Sequence, residues 1–190
     1  MQKLSLVRQA WIGAALAVLM VVTRSHHWAT PEALPDASWA VFFAAGFFLR
    51  PLAALPALCA LAALVDWAAL AVGGVSSFCL TPAYAMLVPA YTALWLGGRW
   101  LARGERDGGA TLARLAVAVV LSALAGELFS SGGFYFLGDR AGNPSVSGFL
   151  AGELGYFPPM LGAMAFYVAP IAIARAALRS LGARRALPQA

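Results

Sequence analysis

From Leu52 to Val72 the chain runs through 21 residues with a single charge among them, Asp66. A helix needs about 20 mostly apolar residues to cross the hydrocarbon core of a bilayer, so this stretch is long enough to span one. It has companions. Apolar runs predict helices over 8–22, 37–49, 52–72, 83–101, 111–129 and 159–177. Composition agrees: 62% of the 190 residues are hydrophobic and 11% are charged, where a soluble domain carries about a quarter charged residues. So few charges leave most of the surface to lipid. No run shows the alternation of barrel strands, and backbone groups in lipid must be satisfied within their own segment. The expected fold is therefore an all-α integral membrane protein, one six-transmembrane-helix domain over residues 1–190.

The run 37–49 is short, with about a dozen apolar residues, and crosses only where tilted neighbours thin the layer. The charges favour counting it. With six crossings and both termini in the cytoplasm, 11 of the 13 basic residues fall inside, leaving Arg24 and Arg140 outside. That bias is the positive-inside rule. Acids lean outward: Glu32, Asp36, Asp139 and Glu153, against Glu105 and Asp107 inside. The net charge of +5 then expresses orientation, and no nucleic-acid partner is implied. Lys3 and Arg8 precede the first apolar run as in a signal peptide. No small-x-small cleavage site follows Val22, so a retained first helix is expected.

Unusual residues gather on the expected outer side, in loops over 23–36, 73–82 and 130–158. The last mixes Gly, Ser, Asn and Pro with Phe134, Tyr135, Phe136, Phe149, Tyr156 and Phe157. A long loop with that much aromatic surface reads as an ordered cap over the helix ends or as the wall of a large-ligand site. Asp66 lies roughly 20 Å along the third run at about 1.5 Å per residue, and Glu127 stands near the end of the fifth. A carboxylate inside a membrane helix is costly unless it faces a partner or a cavity. Asp66 reads as a structural hydrogen-bond partner at the rim or as a pocket residue. Glu127 reads as reaching the interface or as lining the same pocket.

The segment GGVSSFCLTPAY holds Cys79, one of two cysteines. Thr81-Pro82 predicts the N-cap and first-turn proline of the fourth helix. Cys79 then stands two residues ahead of a helix N-terminus, whose partial positive charge favours a thiolate. Tyr84 follows in the first turn, and His26-His27 lie in the neighbouring outer loop. Three roles for Cys79 stay open: packing, a nucleophile with His27 as its base, or a metal ligand. No Cys-x-x-Cys or His-x-x-x-His accompanies it. A lone donor suits a metal that arrives chelated in a macrocycle and needs one axial ligand. Cys59, on an Ala/Leu-rich face, reads as packing, and His26-His27 as an exposed interfacial pair.

Six helices in about 190 residues, both ends inside and elaborate outer loops resemble the substrate-binding S-components of energy-coupling factor (ECF) vitamin transporters. The first helix adds small residues at four-residue spacing in AWIGAALA, Ala10 to Ala14 and Gly13 to Ala17, which let another helix approach closely. In S-components a motif of that type docks to the transmembrane coupling subunit. Within the group, SSFCLTPAY resembles the BtuM-type cobalamin-specific S-components, which carry a cysteine in the loop before the fourth helix. The resemblance implies uptake of cobalamin across the bacterial cytoplasmic membrane. It implies Cys79 as axial cobalt ligand, in place of the dimethylbenzimidazole base, and Asp66, Tyr84 and His27 as pocket residues. An amide-rimmed corrinoid also suits the third loop, where Tyr135, Arg140 and Asn143 are expected contacts. A soft thiolate weakens the bond trans to it, so cysteine-dependent decyanation of cyanocobalamin is a further expectation. The chain has no Gly-x-x-x-x-Gly-Lys-Ser/Thr pattern, so any ATP-driven step belongs to separate subunits, an ECF module being the implied partner. Two other readings stand beside this one: an S-component for another vitamin or metal chelate, and a membrane thiol or redox enzyme using Cys79.

Overall fold

A computed structural model of the chain describes residues 4–24, 34–72, 81–106, 112–139 and 142–185. The described residues form α1 (Leu6–Arg24), α2 (Ser38–Phe48), α3 (Ala54–Val72), a 3-10 turn (Pro82–Met86), α4 (Leu87–Arg106), α5 (Leu112–Leu137) and α6 (Val146–Arg185), with no strand among them. Four segments are long and apolar enough to cross a membrane: α1, α3, α5 and Val146–Leu178 of α6. Their outward surfaces carry Trp11, Leu64, Trp67, Leu121, Leu154 and Ile173, all exposed. A soluble monomer rarely bares apolar surface on that scale. This is the architecture of a helical membrane protein.

The shortest helix is the most enclosed. Every residue of α2 from Ser38 to Gly46 is buried, with α1, α3, α4 and α6 around it. A helix that is apolar on all sides belongs in a core, and one sheathed by protein has no lipid thickness to match. Its most extensive partner is α4, which buries Ala90, Tyr91, Leu94, Trp95 and Leu101 on one face at helical spacing. The two backbones touch. A Cβ on Gly46 would lie 2.0 Å from the Trp95 carbonyl oxygen, and one on Gly98 would lie 1.9 Å from that of Phe43. Further along the contact, Phe42 stacks on Tyr91 with ring centroids 4.0 Å apart.

Polar side chains tie the end of the bundle where α1 and α5 begin. Buried Gln9 accepts the Arg50 N–H at 2.8 Å and donates to the Leu4 carbonyl. Arg99 lies 4.2 Å from the Trp95 ring centroid and donates to the Arg50 carbonyl at 2.6 Å. Arg175 stacks over Phe47 at 4.4 Å.

Two expectations change here. The segment 130–158 is not a long loop: α5 continues to Leu137 and α6 already begins at Val146. Small residues let α5 continue, since a Cβ on Gly133 would sit 2.6 Å from Met86 Cβ of the 3-10 turn. The chain turns instead at Gly138 and Asp139, where Asp139 has a positive φ of 53°. Ser145 then caps α6, its Oγ accepting the Gly148 N–H at 3.1 Å. Pro158 and Pro159 lie inside α6 and do not open it; membrane helices tolerate prolines that would stop a soluble one. Second, Pro82 opens a 3-10 turn ahead of α4, and Thr81 makes no side-chain cap bond.

Gly98→Ala is expected to destabilise the protein by about 1–3 kcal/mol or more, because its methyl group meets backbone that cannot rotate away. Thermal unfolding in detergent beside Gly162→Ala, where a Cβ meets nothing within 4 Å, measures it; equal melting points would refute the α2–α4 contact.

Candidate functional site

Opposite the Gln9–Arg50 end, the C-terminus of α1 meets the N-terminus of α2 and the last turns of α3. Arg24 ends α1 and is 9% exposed. Its Nε donates to Asp66 Oδ1 and its Nη2 to Asp66 Oδ2, each at 2.6 Å. That is the bidentate fork-on-carboxylate geometry, stronger than a single charged contact. The remaining nitrogen, Nη1, donates to Ser38 Oγ at 2.9 Å and Tyr91 Oη at 2.7 Å. Ser38 passes its own hydroxyl proton to Asp36 Oδ1 at 2.7 Å, and the same oxygen accepts the Ser38 N–H. Tyr84 donates to Asp66 Oδ2 at 2.6 Å. Three side chains, from α2, α4 and the 3-10 turn, thus converge on one guanidinium–carboxylate pair that joins α1 to α3.

The backbone leading into α2 is held from both sides. Thr23 Oγ1 accepts the Ala37 N–H at 3.0 Å, and Tyr167 of α6 donates to the Pro35 carbonyl at 2.6 Å. These bonds fix Asp36 and Ser38 against Arg24.

Above this network lies a cavity of about 670 Å³, within the roughly 300–1,000 Å³ common to small-molecule sites. Arg24, Asp36, Asp66, Tyr84 and Tyr91 form its polar end. Its wall is aromatic and comes from α2, α5 and α6: Trp39, Phe134, Tyr135, Phe149 and Tyr156, with Met160. Phe136 packs behind them, 5.0 Å from Tyr135 and 5.5 Å from Phe149. Gly148 leaves room for the Tyr135 hydroxyl, which a Cβ there would approach to 2.6 Å. The combination offers flat apolar contact area with a few fixed polar groups at one end.

Of the residues singled out in the sequence, Asp66, Tyr84 and Tyr135 line the cavity. Cys79, His27 and Arg140 lie outside the described residues. Asn143 is exposed in the short connection between α5 and α6 and does not line the cavity. The aromatic residues do form a wall, but on two helices. Asp66 is both a structural partner and a lining residue, so its two readings were not alternatives. Glu127 does not reach the interface: it is 3% exposed and accepts a hydrogen bond from Ser131 one turn along α5. Cys59 is a free thiol packed against the core.

Sequence reasoning did not single out Arg24, Tyr91, Asp36 or Glu153 as site residues. One signal was present. Arg24 is one of two basic residues assigned to the outer side, at about the level of Asp66, the charge inside the third run. Opposite charges at matching depth in two membrane helices are a pairing signal. Compared with known proteins, the chain matches no family model and no curated protein.

Removing one member of the pair leaves the other charge buried, which costs about 3–5 kcal/mol. Asp66→Leu and Arg24→Met are each expected to lose about that much stability alone, and the two combined to recover most of it. A double-mutant cycle by thermal unfolding in detergent tests this; additive losses would mean that the two side chains do not act as a unit.

Proposed function

We infer that this protein is a corrinoid-binding subunit of a bacterial vitamin transporter, of the S-component type, built on six membrane crossings with both termini in the cytoplasm. It takes cobalamin from the outer side, with Cys79 as axial ligand to cobalt. The observation that carries this reading is the cavity. It is aromatic-walled and polar at one end, and residues of α3 and of the 3-10 turn line it. Asp66 of α3 and Ala83 and Tyr84 of the turn all line it, and Cys79 precedes Ala83 by four positions in the sequence. The segment carrying the thiol therefore joins two elements that both contribute to the cavity.

The basic residues support the orientation. Arg8, Arg50, Arg99, Arg103, Arg114 and Arg175 stand toward the end away from the cavity, and Arg24 is the basic residue that lines it. The remaining two crossings are α2, short and enclosed by its neighbours, and α4, full-length but carrying Arg99 and Arg103 in its last turns. Docking of an ECF module falls to α1, where Ala10 and Ala14 are exposed beside Trp11.

The chemistry asks one donor of the protein, since the corrin supplies four equatorial nitrogens as part of the substrate. A thiolate is a soft, strongly donating ligand. With cyanocobalamin the step is a ligand exchange at constant cobalt oxidation state. A sulfur–cobalt bond forms at the position that the dimethylbenzimidazole nitrogen leaves with its lone pair, the cobalt–carbon bond opposite it breaks, and cyanide leaves with the bonding pair to take a proton from water. The aromatic wall supplies contact to the ring faces. The Arg24–Asp66 network supplies fixed polar groups at the rim.

Cyanocobalamin incubated with the detergent-purified protein is expected to give a stoichiometric corrinoid absorbance band with a shifted spectrum and about one cyanide released per bound corrinoid. Cys79→Ala is expected to lose the shift and the release. Binding that ignores the substitution would reduce the thiol to packing, and no binding by either protein would turn attention to other vitamins.

A further inference from the structure

The polar end of the cavity has a charge balance and a hydrogen-bonding pattern that select among ligands. The charged groups among its described lining residues are Arg24, Asp36, Asp66 and Glu153, three carboxylates against one guanidinium. Asp66 uses both of its oxygens on Arg24, so that pair is internally neutral. Asp36 and Glu153 remain. Asp36 commits Oδ1 to Ser38, but its Oδ2 stands 3.7 Å from Arg24 Nη1, beyond hydrogen-bond distance, and its side chain is 48% exposed. A carboxylate on a ligand would meet these anions with the one lining cation already engaged.

A donor stands beside that free acceptor. Tyr91 is 4% exposed, and its oxygen accepts from Arg24 Nη1. The hydroxyl hydrogen is thereby left to donate, and among the described residues no acceptor meets it. A buried hydroxyl in that state calls for an acceptor from whatever fills the cavity. Tyr91 Oη and Asp36 Oδ2 are neighbours of the same Arg24 nitrogen, at 2.7 and 3.7 Å. A donor and an acceptor that both flank one guanidinium nitrogen suit a ligand group carrying both functions; on the amide rim of a corrinoid that group is the primary carboxamide, whose carbonyl takes the Tyr91 proton and whose N–H reaches Asp36. An ammonium group would satisfy only Asp36, and a carboxylate only Tyr91.

We propose that Asp36 and Tyr91 read a carboxamide of the ligand and that the surplus carboxylates of the cavity reject the corresponding acid. This rests on the corrinoid reading and deepens it: intact amide-bearing corrinoids are accepted, and partly hydrolysed ones are refused. Discrimination comes from the repulsive element as much as from the attractive one. Asp36 and Tyr91 are specificity-determining residues in this scheme, and neither touches cobalt.

The test titrates detergent-purified full-length protein with cyanocobalamin and, separately, with its isomeric monocarboxylates, each with one peripheral amide hydrolysed. The Cys79-dependent spectral shift is the readout. At least one isomer is expected to bind about tenfold or more weakly than the amide. Asp36→Asn keeps an Oδ1 acceptor for Ser38 and is expected to bring that isomer within about threefold of the amide. Tyr91→Phe, which keeps the stack on Phe42, is expected to weaken amide binding by about two- to tenfold. Melting temperatures near that of the unsubstituted protein exclude misfolding as the cause. Equal affinity for the amide and every acid isomer overturns the proposal while leaving the corrinoid reading intact, as does an Asp36→Asn ratio that does not move. Failure of every corrinoid to bind the unsubstituted protein overturns both.

Discussion

Everything at the cavity end depends on one buried ion pair. Arg24 and Asp66 come from helices α1 and α3, 42 positions apart in the chain, and each would be expensive in an apolar bundle alone. Paired in fork geometry, they become a neutral polar platform. Tyr84, Tyr91 and Ser38 hydrogen-bond that platform, and Ser38 links it to Asp36, so five chain segments are held in register at a place where apolar packing alone would be non-directional. A buried pair of this kind is weak support for stability by itself. Its value here is positional, because the same side chains that satisfy the pair also line the cavity.

The platform holds its shape because the bundle beneath it is rigid. α2 crosses α4 at backbone contact through Gly46 and Gly98, and the Phe42–Tyr91 stack continues that contact up to the network. Tyr91 belongs to both. Its ring is part of the core and its hydroxyl is part of the polar end, so the position of a hydrogen-bond donor in the cavity is set by close packing. Across from it, the wall on α5 and α6 consists of rings packed on rings, Tyr135 and Phe136 against Phe149. The cavity thus has one face fixed by hydrogen bonds and another fixed by aromatic contact.

The proposed function and the selectivity drawn from the cavity stand on different residues. The first depends on Cys79 and on the juxtaposition of the segments that flank it. The second depends on Asp36, Tyr91 and the unequal number of charges around the polar end. A corrinoid is a demanding test of both, because its cobalt needs a single soft donor while its periphery carries amides. In the proposed scheme, binding and discrimination are separable properties of one cavity.

The membrane class was legible in the sequence because it is a matter of composition. Runs such as 52–72 bury too few charges for any soluble fold, and backbone in lipid has one local solution. Asp66, Tyr84 and Tyr135, singled out from the sequence, line the cavity, two of them polar groups at one end of apolar runs and the third within an aromatic-rich segment. Tertiary structure decided the rest. Whether Ser130–Leu137 is loop or helix turned on the packing of Gly133 against Met86, a contact between residues 47 positions apart that no local pattern encodes. The short α2 looked like a strained crossing and is a sheathed core helix, because enclosure depends on neighbours and not on length. Arg24 looked like one more outer charge until α1 and α3 lay side by side. Local chemistry marks which groups are costly to bury; only the assembled bundle settles which groups relieve them.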